Sequence, residues 1–185
     1  MKTLIFNGSP RKNGGTAQLI NELKNHLPGE VNVIDAYRTD ISPCVDCRYC
    51  WTHDKCAIDD EMQTVYKLID DADNIVIASP IYFAELTGPL LSLLSRLQFL
   101  GVPVYFGKPS HLTQKRRSGA VILVDGGDGL FEAAMDRAKI LLKVMEAEFT
   151  GLVFFNGTDL TPSNTKAVPE HIYDEVRELA WILKK

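Results

Sequence analysis

The chain has 185 residues, of which 45% are hydrophobic and 24% charged, and its net charge is −4. That length suits one domain with a sizeable core, and the composition is that of an ordinary soluble globular protein. The negative balance excludes a nucleic-acid binder driven by electrostatics. The one basic run, Lys115-Arg116-Arg117, reads as a solvated loop before a buried strand. The N-terminus, MKTLIFNGSPRKNGG, lacks the apolar length of a signal peptide. The stretch LTGPLLSLLSRLQFLGVPVYF is interrupted by Pro89, Arg96 and Pro103, so no membrane span is expected. A cytoplasmic protein follows as the expectation, with neither a membrane nor a nucleic acid as partner.

In chain order, KTLIFN reads as a buried strand ending at Asn7-Gly8. A helix follows over Thr16–Leu27, stopped by Pro28-Gly29, and a second strand over Val31–Asp35. The segment 43–58 is a cysteine-rich loop. Asp59-Asp60-Glu61 then supplies an N-cap and an acidic first turn for a helix to about Asp71. Ile75–Ala78 is a uniformly apolar third strand. Thr87 is placed to cap a helix with Pro89 in its first turn, running to about Leu100. Ala120–Val124, Leu130–Glu148, Leu152–Phe155 and Pro169–Leu183 complete the alternation as strand, helix, strand and helix.

Continuous apolar strands alternating with helices point to a parallel sheet covered on both faces. Five such strands fit a single flavodoxin-like α/β domain over 1–185, doubly wound in the order 2-1-3-4-5. In such sheets ligands sit beyond the carboxyl ends of the strands, at the switch point between strands 1 and 3. The loops after strands 1, 3 and 4 are therefore the ones to read.

The loop after strand 1 is NGSPRKNGGTAQL. Its glycines let the backbone turn and approach a ligand, and the free N–H groups of the following helix favour an anion. Ser9 and Thr16 carry hydroxyls, and Arg11 can pair with a phosphate bidentately. The pattern is neither G-x-x-x-x-G-K-[ST] nor G-x-G-x-x-G, which leaves a mononucleotide. After strand 3, SPIYFAELTGP sets Ile81, Tyr82 and Phe83 as an apolar wall suited to a flat heteroaromatic ring. The same residues would serve equally as packing under the next helix. After strand 4, VDGGDG permits close backbone approach, and Asp125 or Asp128 could cap the following helix.

GSPRKNGGT followed by SPIYF, in a chain of this length, resembles the NADPH-dependent FMN reductase family of flavodoxin-like flavoproteins. The resemblance implies FMN. Its phosphate would be held by Ser9, Arg11, Asn13, Gly15, Thr16 and Ala17. Its ring would be lined by Pro80, Ile81, Tyr82 and Phe83, with Gly126 and Gly127 on the other flank. The chain departs from the family pattern at Gly15, where asparagine is common. It departs again at Ser95-Arg96, where the family often has Asp-Arg, so a charge pair is expected to be lost.

All four cysteines, Cys44, Cys47, Cys50 and Cys56, fall in PCVDCRYCWTHDKC with spacing C-x2-C-x2-C-x5-C. A reducing cytosol argues against disulfides. Structural zinc usually takes two knuckles separated by a dozen or more residues, which this crowding does not match. A redox C-x-x-C pair leaves the third and fourth thiols unexplained. One four-thiolate site suits a [4Fe–4S] cluster, with a zinc-bound or empty site as the competing readings; His53 is a further possible ligand. The run resembles the iron–sulfur flavoprotein subgroup of the same family, which implies a cluster beside the flavin.

The expected activity is that of an FMN-dependent oxidoreductase or electron-transfer flavoprotein. No side chain is assigned as catalytic beyond the cofactors. NAD(P)H, a quinone or a ferredoxin are the expected electron partners. An FMN-only quinone or azo-compound reductase and a non-enzymatic flavodoxin-like binding module remain as alternatives. The leucines of Leu90–Leu100 cover roughly 180° of the helix, wider than the stripe of about 100° that one core needs. With Phe99 on the far side, this suggests a homodimer or homotetramer.

Overall fold

The computed structural model describes residues 1–127, 129–160 and 168–185. Five parallel strands run in the order β2-β1-β3-β5-β6: β1 Lys2–Asn7, β2 Glu30–Asp35, β3 Asn74–Tyr82, β5 Arg117–Val124 and β6 Ala147–Phe155. A two-residue strand, β4 (Glu85–Leu86), adds antiparallel to the end of β3. Apart from β4, this is the expected flavodoxin-like order.

The helices divide between the two faces. α1 (Gly15–His26) and α6 (Glu170–Leu183) cover one, and α2 (Met62–Asp71), α3 (Gly88–Leu94) and α5 (Glu132–Val144) cover the other. α4 (Gln98–Tyr105) continues α3 after a single 3-10 turn. The uniformly apolar strands serve both layers. In β3, Ile75 and Ile77 pack toward α2 and α3, while Val76 and Ala78 pack toward α1. That is the period-2 alternation of a strand buried on both sides.

Several boundaries differ from expectation for local reasons. The helix expected over Leu130–Glu148 ends at Val144, because Glu146 adopts a left-handed conformation and Ala147 already pairs with Arg117. β3 runs on to Tyr82, so Pro80, Ile81 and Tyr82 are strand residues rather than loop. Pro80 is tolerated because β1 has ended at Asn7, opposite Ala78, leaving only β5 alongside. The basic run is also less solvated than expected. Arg117 is buried and pairs with Asp70 at 3.0 Å, while Lys115, which meets Asp73 at 3.0 Å, and Arg116 stay exposed.

The leucine-rich helix is absorbed by its own domain. Leu90, Leu93, Leu94, Leu97 and Leu100 are buried, and Leu91 is half-buried. Phe99, expected on the far side, is buried between Tyr66 and His111, at centroid distances of 5.0 and 4.2 Å. The break at Ser95–Leu97 rotates it inward. The width of the apolar stripe is therefore accounted for within the domain.

Thr87 sits at the N-cap position of α3 but makes no capping bond. Its hydroxyl donates instead to the Gly8 carbonyl at 2.9 Å, and its N–H donates to Ser79 Oγ at 3.3 Å. A Cβ on Gly8 would meet Ser79 Oγ at 2.8 Å and both Thr87 Oγ1 and Leu90 Cδ2 at 2.9 Å. Gly8→Ala is expected to destabilise the protein by about 1–3 kcal/mol through overpacking. Urea denaturation of the variant would read this as a lowered midpoint with an unchanged slope.

Candidate functional site

Beyond the carboxyl ends of β1, β3 and β5 lies a cavity of about 740 Å³. From the first loop it is lined by Ser9, Arg11, Asn13, Gly15 and Thr16. Pro80, Ile81 and Tyr82 line it from the end of β3, and Gly126 and Gly127 from the loop after β5. Two residues named from sequence do not bring their side chains to it. Ala17 is buried beneath the first turn of α1. Phe83 projects fully into solvent, because it occupies the first central position of the β3–β4 hairpin turn. Phe83 and Ala84 both have positive φ, 53° and 61°, the geometry of a two-residue I′-type turn made without glycine.

The first loop is shaped from within. Asn7 Oδ1 accepts the Ser9 N–H at 2.9 Å, and Ser9 Oγ both donates to the Arg11 carbonyl and accepts its N–H. The Ser9 hydroxyl therefore holds the turn as well as lining the cavity. α1 starts at Gly15 with no side-chain cap on Gly14. Among the described residues the N–H groups of Gly15, Thr16 and Ala17 have no acceptor, and Arg11 makes no ion pair. A helix N-terminus with open amides beside a free guanidinium suits an anion such as a phosphate. Gly15 also faces inward: a Cβ there would meet Val124 and Phe155 at 3.3 and 3.7 Å.

The opposite wall is organised by Asp125. Its carboxylate accepts the N–H groups of Gly127 at 3.1 Å and Gly129 at 3.0 Å. It therefore folds its own loop and does not cap α5, whose first turn has no side-chain cap. Asp128, the other expected cap, lies outside the described residues. Asp159 packs so closely over Gly126 that a Cβ there would displace its carboxylate. Gln18, Val124, Phe155, Asp159 and Pro169 also line the cavity and were not found from sequence. Phe155 and Pro169 carry no motif; the parallel pairing of β6 with β5 brings the first near, and the packing of α6 beside α1 brings the second.

The cysteine loop leaves β2 and docks against the turn between α3 and α4. The Cys44 N–H donates to Ser95 Oγ at 2.9 Å. Arg96 is buried and pairs with Asp60 at 2.7 Å, so the charge pair expected to be lost at Ser95-Arg96 is supplied from another segment. Asp60 Oδ2 also accepts the Ser42 N–H, while Oδ1 accepts that of Met62. Removing one partner from such a pair costs about 3–5 kcal/mol, because the other charge is left buried. Within the loop, Asp46 and Arg48 adopt left-handed conformations on either side of Cys47 and wind the chain tightly.

Cys50 and Cys56 rest against the core, Cys44 is half-buried and Cys47 is exposed; none is in a disulfide. Burial pushes the Cys50 thiol up; a backbone hydrogen bond opposes this, and the Cys56, Cys44 and Cys47 thiols push it higher. Cys50 is thus within electrostatic reach of the other three sulfurs, and thiols are a donor set that an iron centre would favour in the thiolate form. They do not converge on one point: among the described residues, no group of three or more His, Cys, Asp or Glu side chains forms a metal site. His53 is exposed and stacks on Tyr49 at 3.8 Å, apart from any such role.

Residues 1–156 match the NADPH-dependent FMN reductase family. The chain belongs to that family. An iron–sulfur flavoprotein of Methanocaldococcus jannaschii is 32% identical over 99 residues, covering 52% of this chain and 51% of the relative. One from Methanosarcina thermophila is 28% identical over 129 residues, covering 68% and 64%. The matches thus span between half and two thirds of these relatives. Among solved structures, an NAD(P)H:quinone oxidoreductase from Methanothermobacter marburgensis superposes with a TM-score of 0.72 at 12% identity, covering 100% of this chain and 96% of that one. An FMN-dependent NADH-azoreductase from Bacillus anthracis, solved with FMN, gives 0.63 at 17% identity and covers both chains fully. These two share the fold.

Burial alone would raise the Asp60 carboxyl, but Arg96 and the Ser42 and Met62 N–H groups outweigh it and hold the carboxyl below its ordinary value of 3.8. Such a group stabilises the folded state above its unfolded pKa, and the contribution is lost as pH falls through the lowered one. Protection of the 42–58 amides against hydrogen exchange is therefore expected to hold at neutral pH and fail only below the usual carboxylate range. In Asp60→Asn the acid step should vanish and the neutral-pH protection should drop.

Proposed function

We propose that this member of the FMN reductase family is an FMN-dependent oxidoreductase whose flavin occupies the cavity at the β1/β3 switch point. In this reading Cys44, Cys47, Cys50 and Cys56 carry a [4Fe–4S] cluster that exchanges electrons with it. The observation that carries the flavin reading is the pairing of two opposite ends in one cavity. At one end stand the open amides of α1 beside Arg11; at the other are Tyr82, Ile81 and a glycine pair. When bound, FMN accepts a hydride and releases electrons singly, and a [4Fe–4S] cluster moves one electron at a time.

The chain's own part is binding and orientation. The N–H groups of Gly15, Thr16 and Ala17 and the guanidinium of Arg11 hold the phosphate. Thr16 adds a hydroxyl from a position only 2% exposed, which excludes water from that end. Pro80, Ile81 and Tyr82 form the wall for the ring. Gly126 and Gly127 bring backbone rather than side chains to its other flank. For the cluster, Cys50 and Cys56 would anchor the inner side and Cys47 would close the outer one. NAD(P)H is the proposed reductant, with a quinone or a ferredoxin as the other partner.

A second reading, an FMN-only quinone or azo-compound reductase, is favoured by the failure of the described cysteines to meet at one point. The absorption spectrum of anaerobically purified protein, with iron and acid-labile sulfide assays, separates the two. Flavin bands with a bleachable brown shoulder and about four irons per chain support the cluster. Flavin bands without iron support the second reading. A protein that stays colourless after FMN is added defeats both. Arg11→Ala is expected to weaken FMN binding by roughly tenfold, the loss of one charge-assisted contact. Flavin fluorescence quenching on titration would measure it.

A further inference from the structure

One guanidinium closes the cysteine loop. A terminal nitrogen of Arg96 donates to the Ser42 carbonyl at 3.0 Å and to Asp60 at 2.7 Å; the other donates to the Ile58 carbonyl at 3.1 Å. Ser42 and Ile58 bracket the segment 43–57, which contains every cysteine of the chain. The side chain is fully buried, and its Nε has no partner among the described residues. A buried guanidinium with one N–H unmatched is costly, and the position lies in LLSLLSRLQFL, where an apolar side chain would pack readily. Stability alone gives no reason for arginine here.

A planar fork does give one. Two carbonyls on separate stretches of chain can be bridged by the two terminal nitrogens of one arginine, whereas a lysine presents a single point charge. The backbone around Arg96 is itself held, since the Tyr66 hydroxyl donates to the Arg96 carbonyl at 2.8 Å. Cys56 lies within electrostatic reach of both Tyr66 and Arg96, so the clamp and the last thiol share one environment. Ser95, the adjacent residue, takes the Cys44 N–H. The first cysteine is thereby bonded to the turn that the last one approaches.

We propose that Arg96 is a positioning residue: by bridging Ser42 and Ile58 it fixes the two ends of the four-cysteine loop, so that a metal has only the segment between them to draw together. This rests on the reading of the four cysteines as metal ligands. Fixing the ends removes from the binding step part of the cost of ordering the loop.

The test uses full-length protein freed of iron by chelation, compared as wild type, Arg96→Lys, Arg96→Gln and Arg96→Gln/Asp60→Asn. The double variant leaves no buried charge unpaired and so guards against simple misfolding. Amides of 43–57 are expected to exchange at least tenfold faster in all three variants. Protection in β1 and β3, and FMN binding, should match wild type. After anaerobic reconstitution, retained iron and acid-labile sulfide should fall several-fold. Wild-type loop protection in the double variant, or its full restoration by lysine, overturns the clamp. A wild-type protein that takes up no iron or sulfide overturns the cluster reading; faster loop exchange in the variants would still support the clamp.

Discussion

The close crossing at Gly8 is the constraint on which the rest of the architecture depends. There the end of β1, the middle of β3 and the start of α3 meet with no room for a single methyl group. Gly8 N–H donates to the Ala78 carbonyl, and the Gly8 carbonyl accepts the Thr87 hydroxyl. The first loop is thereby locked to the strand that forms the cavity's aromatic wall. Its amides and Tyr82 consequently face one space. A looser crossing would leave the anion end and the ring end unrelated.

The same crossing fixes where α3 begins, and so where its far end falls. The 3-10 turn at Ser95–Leu97 then presents Ser95 and Arg96 to the cysteine loop. Two candidate centres are in this way attached to opposite ends of one short helix. In the proposed function the two exchange electrons, and a rigid element with both ends hydrogen-bonded is a means of fixing their separation. The cost is a buried charge pair, Asp60–Arg96, whose contribution disappears when the carboxyl takes up a proton.

Much of the site was legible in the sequence because its chemistry is local. Ser9, Arg11, Asn13, Gly15 and Thr16 sit on one loop, and a strand followed by a glycine-rich turn and a helix has few geometries available. The wall at Pro80–Tyr82 was found by position, although its residues extend the strand. Phe83 was misplaced because a hairpin turn two residues long depends on the pairing of Ile81 with Leu86, which periodicity does not reveal. Phe155 and Pro169 were missed because they belong to distant segments with no motif of their own. The loss of a charge pair at Ser95-Arg96 was inferred from neighbours in sequence, whereas the partner, Asp60, lies thirty-six residues away.

The sequence by itself determined the strand order, the family and the four-thiol spacing, because apolar periodicity and loop motifs act over a few residues. Only the tertiary structure decided which side chains share a cavity, that the leucines of α3 are spent inside the domain, and that one arginine spans both ends of the cysteine loop. Those depend on contacts between segments far apart in the chain, which form only when the layers pack.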